Sequence, residues 1–152
     1  MPGALLALVL FLFTACAMEG VANLLHRYGM HGFLWFLHAD HHHPRRRGLE
    51  RNDAFAAFFA LLSIGLIAVG VLAPIPYLLA VGAGMSAYGL GYLLFHDVMF
   101  HRRIPRCRLR PRGRYLQRIV RAHQAHHRHS SAHSGVAFGF LYAGKEYDHE
   151  GA

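Results

Sequence analysis

Ten of the fourteen histidines fall into four short motifs that state one pattern twice. The first statement is His26-Arg-Tyr-Gly-Met-His31 followed by His38-Ala-Asp-His41-His42. The second is His96-Asp-Val-Met-Phe-His101 followed by His123-Gln-Ala-His126-His127. A long apolar stretch without histidine separates them. Neutral imidazole is the commonest nitrogen ligand of transition metals. A structural zinc needs only four ligands, so ten in two matched sets imply two ions. All-nitrogen ligation with few carboxylates leaves zinc, iron and copper open by ligand softness. Zinc does no redox chemistry, and iron is favoured where positions for oxygen remain open.

Spacing constrains the backbone that must carry these ligands. In His-x-x-His-His the rings at i, i+3 and i+4 share one helix face. In His-x-x-x-x-His, about 500° of ideal helix separates the pair, so the rings diverge by about 140°. Such a pair converges if the helix loosens or a π-bulge intervenes. His43, His129, His133 and His149 stand outside the four motifs and read as polar surface.

The positioning elements follow from segregation of charge. At 152 residues, 54% of them hydrophobic, the chain still carries a net charge of +8. Residues 4–18, 54–73 and 75–95 hold no charged side chain. Fifteen of the sixteen basic residues are arginines, most of them in two blocks: Arg45, Arg46, Arg47 and Arg51, then Arg102 to Arg128. Apolar runs of about 20 residues between basic loops read as membrane spans under the positive-inside rule. The expected fold is an all-α integral membrane protein, one domain over 1–152. About three spans, near 4–24, 54–73 and 77–95, carry a histidine-rich, metal-binding cap made of residues 26–43 and 96–133. Thr14-Ala15-Cys16-Ala17 resembles a cleavage site after an apolar run. No basic residue precedes that run, so it is expected to stay as a permanent helix.

Topology follows from the breakers. Pro74-Ile75-Pro76 turns the second span into the third with almost no loop, and Asn52-Asp53 can cap the second. All four motifs and both arginine blocks then share one face, which arginine marks as cytoplasmic. The aromatic stretch Phe33 to Leu37 suits the membrane interface, and Pro111-Arg112-Gly113 forms a turn before a helix near Tyr115 to His127. Residues Val136 to Tyr142 return to the membrane surface or cap the site, and the last eight residues, from Lys145, read as a tail. Cys16 and Cys107 give neither a disulfide framework nor a Cys-x-x-Cys site, which suits a reducing setting for the polar part. A pI near 10.2 would suit nucleic acid. The basic residues flank membrane spans instead, so no nucleic-acid partner is expected.

The four boxes resemble those of the membrane fatty acid hydroxylase and sterol desaturase superfamily, and most closely those of the bacterial β-carotene hydroxylase family. The match also runs through Met18-Glu19-Gly20, His31-Gly32-Phe33, His41-His42-His43-Pro44-Arg45 and Asn52-Asp53. It continues through Gly84-Met85-Ser86-Ala87-Tyr88-Gly89, His96-Asp97, Ala122-His123 and Phe138-Gly139-Phe140-Leu141-Tyr142-Ala143. It covers about residues 18–143; His43 departs from a usually acidic position outside the boxes. The resemblance implies two non-haem irons held by His26, His31, His38, His41, His42, His96, His101, His123, His126 and His127. It further implies O₂ as co-substrate and hydroxylation of the β-carotene rings through β-cryptoxanthin to zeaxanthin. The partners it implies are a reduced ferredoxin-type electron donor and a carotenoid dissolved in the bilayer. No catalytic residue is needed beyond the metal centre.

Several residues then take expected roles. Glu19, Asn23 and His26 form one helical stripe, so Glu19 either orients His26 as a hydrogen-bond acceptor or sits at the interface. Asp40 and Asp97 are further candidate acceptors for ligand histidines. Gly82, Gly84, Gly89 and Gly91 either leave a slot for a slim polyene or serve close helix packing. The arginine blocks either dock an acidic electron donor or meet anionic lipid. Two other readings compete: a di-iron hydroxylase or desaturase of a fatty acyl chain, sterol or ketocarotenoid, and a His-rich membrane metal-binding protein. A transporter would place ligands within its spans, and these spans contain none.

Overall fold

The computed structural model describes residues 2–43, 48–107, 109–129, 131–133 and 135–149. Arg45, Arg46 and Arg47 of the first arginine block and Arg108 of the second lie outside the described residues. Among those described, every regular element is helical. α1 (Pro2–Leu24) runs directly into a π-helical stretch, Leu25–Phe33, and α2 (Trp35–His42) follows. α3 (Asp53–Leu72) and α4 (Pro76–Tyr92) form a hairpin, and α4 runs into a second π-helical stretch, Leu93–Phe100. α5 (Arg114–Arg128) and a short 3₁₀ turn, Lys145–Asp148, complete the chain.

Three helical runs are long and apolar enough to cross a membrane: Gly3–Phe33, Asp53–Leu72 and Pro76–Phe100. Their side chains point outward in a way that only lipid tolerates; Phe13 is 67% exposed and Leu72 83%. The chain is a membrane protein. The hairpin closes where expected, with Ile75 N–H donating to the Gly70 carbonyl and Pro76 at the first turn of α4, where its missing N–H costs nothing.

α4 packs against both α1 and α3. The Ser63 hydroxyl donates to the Gly82 carbonyl and lies 2.7 Å from Ser86 Oγ, joining α3 to α4 by hydrogen bonds inside an apolar interface. The four glycines of α4 divide. A Cβ on Gly82 would stand 2.8 Å from Ile67 Cγ1, and one on Gly84 would stand 2.6 Å from the Phe11 carbonyl oxygen. Gly89 and Gly91 face open space. A slot formed by all four is therefore wrong: Gly82 and Gly84 are helix-packing residues.

Beyond the spans, Gly113 (φ +81°) makes the turn into α5 that the sequence predicts. The supposed tail is not one. Arg118 holds Asp148 at 2.6 and 2.9 Å, Arg121 donates to the Tyr147 and Asp148 carbonyls, and Tyr147 packs on Ile119 and Ala122. Residues 145–148 thus clamp α5 from outside.

Gly84→Ala is expected to destabilise the protein by about 1–3 kcal/mol, as overpacking does, whereas Gly91→Ala stays within about 1 kcal/mol of the parent. Thermal unfolding in detergent reads both. Equal effects would show that the α1–α4 contact does not depend on Gly84.

Candidate metal centre

The π-helical stretches solve the divergence of the two His-x-x-x-x-His pairs. His101 N–H donates to the His96 carbonyl and Leu34 N–H to the Gly29 carbonyl, both five residues back. Widening the turn in this way carries residue i+5 round toward residue i. The rings of His26 and His31 come within 5.1 Å, and those of His96 and His101 within 4.5 Å, centre to centre.

Two nitrogen clusters result. His26, His31, His38, His42 and His126 form one, and His41, His101, His123 and His127 form the other, with the ligand atoms of each within 4.8 Å of one another. His96 falls in neither compact set, but its ring packs on His41, His101 and His123 of the second at 4.5–5.0 Å. The clusters do not follow the two statements of the sequence. In each His-x-x-His-His the outer two rings serve one cluster and the middle ring, His41 or His126, crosses to the other. The exchange is reciprocal, an approximate two-fold relation that pairs His96 with His26.

The proton positions decide what these clusters can do. His26 Nδ1–H donates to the Phe138 carbonyl (2.8 Å), His31 to that of Ala132 (3.2 Å) and His126 to that of Val136 (2.6 Å). His38 donates to Asn52 Oδ1 (2.7 Å), His41 to Glu50 Oε2 (2.8 Å) and His96 to Asp97 Oδ1 (2.9 Å). With the proton held at Nδ1, each Nε2 carries a bare lone pair. Yet Nε2 of His26 lies 3.0 Å from Nε2 of His38, and Nε2 of His31 lies 3.2 Å from that of His126. Lone pairs so placed repel and cannot hydrogen-bond. Ligand nitrogens at about 2.1 Å from one cation, at right angles, stand about 3.0 Å apart. Nε2 of His41 and of His127 are buried with no partner among the described residues. The donor set fits a metal.

Burial keeps the ligands neutral. It lowers His38, His101 and His126 to about 3, His41 to about 4 and His42 to about 2, and the neighbouring imidazoles push His42 further down. His123 and His127 shift the same way for the same reasons.

A loop roofs the first cluster. Residues 132–138 supply three of its carbonyl acceptors, and Ala137 adopts φ +52°, a strained conformation for a residue with a Cβ. It turns the carbonyls of Val136 and Phe138 onto different histidines. The run 136–142 is thus a cap rather than a membrane re-entry. Glu19 does not touch His26. Its Oε1 accepts the N–H groups of Phe140, Leu141 and Tyr142 at 2.9–3.1 Å, and its Oε2 accepts the Tyr88 hydroxyl (2.9 Å). Three backbone donors outcompete a histidine about two turns away, and Glu19 anchors the roof. Gly139 has no room for a Cβ, which would meet Glu19 Oε1 at 2.8 Å.

Of the other proposed acceptors, Asp97 Oδ1 lies 2.9 Å from His96 Nδ1 and accepts its proton. Asp40 instead accepts Arg51 N–H (2.8 Å) and takes no hydrogen bond from a histidine among the described residues. Asn52 does not cap α3; its amide serves His38. Asp53 takes the Glu50 N–H instead and pairs with Arg103 at 2.6 and 2.7 Å. Sequence reasoning missed Glu50, Asn52 as an acceptor, and Trp35, whose ring shields His31 and His42 at 5.1 and 5.3 Å. The nearest signal was a polar pair lying between the second box and an apolar run. His43, His129, His133 and His149 are exposed and belong to neither cluster.

A cavity of about 60 Å³ opens between the clusters. His26 and His38 of the first, and His123 with His96 on the other side, line it beside Ala22, Met30, Phe138 and Phe140.

In the unfolded chain these histidines take up protons near pH 6.5, but the folded chain accepts them only near 3–4. The unfolded state binds more protons in between, so stability falls as pH falls. Metal-free protein is expected to keep full stability above about pH 7 and to lose it from 6.5 toward 4. A thermal midpoint in detergent that stays level or rises on acidification would contradict neutral, buried histidines.

Known proteins share these features. Residues 11–144 match the family described as fatty acid hydroxylase. A β-carotene hydroxylase of Pantoea ananas is 47% identical over 137 residues, covering 90% of this chain and 77% of that one. One from Pseudescherichia vulneris is 44% identical over 140 residues, covering 92% and 78%. A chloroplastic β-carotene 3-hydroxylase of Arabidopsis thaliana is 35% identical over 142 residues, covering 90% of this chain and 45% of its own length. No solved structure matches. With a family match over most of its length and its boxes folded into two nitrogen clusters, this chain belongs to the fatty acid hydroxylase family.

Proposed function

We propose that the protein is a β-carotene 3-hydroxylase, adding a hydroxyl group to the ring of a membrane-dissolved carotenoid, through β-cryptoxanthin to zeaxanthin. The observation that carries this reading is the cavity: nitrogen ligands from both clusters meet apolar side chains there, at the end of the membrane spans. The names of the bacterial relatives supply the substrate. The reaction consumes O₂, two electrons and two protons per hydroxyl and releases one water. A reduced ferredoxin-type protein is the electron source.

Two non-haem irons held by the ten box histidines supply the redox chemistry of O₂ activation when bound. The chain's own residues set the stage. The Nδ1 acceptors keep six of these rings, those of His26, His31, His38, His41, His96 and His126, oriented with Nε2 unprotonated. Ala22, Met30, Phe138 and Phe140 give the cavity an apolar wall that admits hydrocarbon and disfavours bulk water. Glu19 holds that wall through the backbone of residues 140–142. Eleven arginines among the described residues, including Arg27, Arg51, Arg102 and Arg128, belong to the segments that carry the clusters. This supports a cytoplasmic cap on the inner membrane.

Expression in a bacterium that already makes β-carotene is expected to yield cryptoxanthin and zeaxanthin on pigment chromatography. Unchanged β-carotene from folded, iron-loaded protein would overturn the reading, and a modified fatty acyl chain or sterol would replace it with another lipid. His123→Ala is expected to lower activity at least ~10²-fold through loss of a ligand, while His149→Ala leaves it unchanged. Comparable losses would undermine the ligand assignment.

A further inference from the structure

The acceptors that hold the ligand protons differ in charge between the two clusters. Every partnered Nδ1 of the first cluster faces a neutral oxygen: the carbonyls of Phe138, Ala132 and Val136 and the amide of Asn52. On the second side the partners are carboxylates, Glu50 on His41 and Asp97 on His96. Both are well sheltered, with Glu50 13% and Asp97 17% exposed, so water screens them only in part.

Building on the two-metal reading above, we propose that the metal positions are inequivalent: Glu50 and Asp97 make the second the tighter site, and the first releases its ion first. A carboxylate on the far nitrogen of an imidazole makes the metal-facing nitrogen more basic, and does so more strongly than a neutral carbonyl. The negative charge also attracts the cation directly. Arg103 brackets this carboxylate group and holds it in place. It pairs with Asp53 in a two-pronged contact, reaches Asp97 at 3.5 Å and donates to the Gly48 carbonyl. Glu50 N–H donates to Asp53, which ties Glu50 to the same bracket. Three carboxylates against one guanidinium leave the second side net negative. No carboxylate accepts a proton from a ligand of the first cluster among the described contacts.

Glu50 and Asp97 are positioning residues: they act through His41 and His96 and do not face the cavity. Asn52 serves the first side through His38, and its side chain also lines the cavity.

The test uses the full-length protein in detergent, loaded anaerobically with ferrous iron and challenged with a chromophoric chelator. Two ions per chain are expected to leave in two phases. Glu50→Gln keeps the shape and removes the charge, and should weaken only the slow, tight phase, by about 10–100-fold in affinity. Asn52→Ala should weaken only the fast phase by a similar factor. Should Glu50→Gln fail to fold, Asp97→Asn tests the same site through His96. Two ions released in one phase by the parent would overturn the inequivalence, as would Glu50→Gln and Asn52→Ala weakening the same phase, and either result leaves the two-metal reading standing. Fewer than two ions per loaded chain would remove that reading and the inference with it.

Discussion

The structure turns on where six imidazole protons sit. Each is held by an oxygen on the outer side of its ring, which leaves the Nε2 atoms of His26, His31, His38 and His126 turned inward toward one another. Bare lone pairs at 3.0 and 3.2 Å are tolerable only around a cation. The rest of the cap supplies the outer oxygens. The loop 132–138 contributes three, at the cost of a strained Ala137. Glu19 fixes the chain just beyond that loop from within α1, and the 145–148 turn fixes α5 from outside. Long-range contacts therefore set the ligand geometry, although the ligands themselves lie in short local motifs.

The crossing of His41 and His126 explains why the pattern occurs twice. One His-x-x-His-His face presents rings on two sides of its helix, and a single metal can use only some of them. Two such helices laid side by side can trade their middle rings, and each ion then draws on both. His42 and His127 stack at 4.5 Å where the trade occurs. Neither half of the chain can complete a cluster alone, so the cap assembles only once α2 and α5 have docked over the ends of the spans.

How legible this was in the sequence depended on the range of each interaction. The spans, the hairpin at Pro76 and the turn at Gly113 follow from local composition. The need for a loosened helix between His26 and His31 followed from elementary helix geometry, and the π-helical stretches met it. What failed was any role requiring a partner far along the chain. Glu19 shares a helical stripe with His26, but its partners are Tyr88, 69 residues away, and the backbone of residues 140–142, more than 120 away. Asn52 beside an apolar run reads as a cap, and only the fold shows His38 across from it. The glycines of α4 look alike as letters. Whether Phe11 or open space lies opposite is a property of packing.

Charge gives the last constraint. Ten neutral ligands leave the charge of any bound cation uncompensated, in a chain already at +8 with only eight acidic residues. Those carboxylates are not spread evenly. Glu50, Asp53 and Asp97 gather on the second side around Arg103, while the first side relies on carbonyl and amide dipoles. Dipoles orient ligands without adding charge; carboxylates do both. A pair of sites so nearly symmetric in ligand type is therefore asymmetric in electrostatics, and the asymmetry comes from residues outside the histidine motifs.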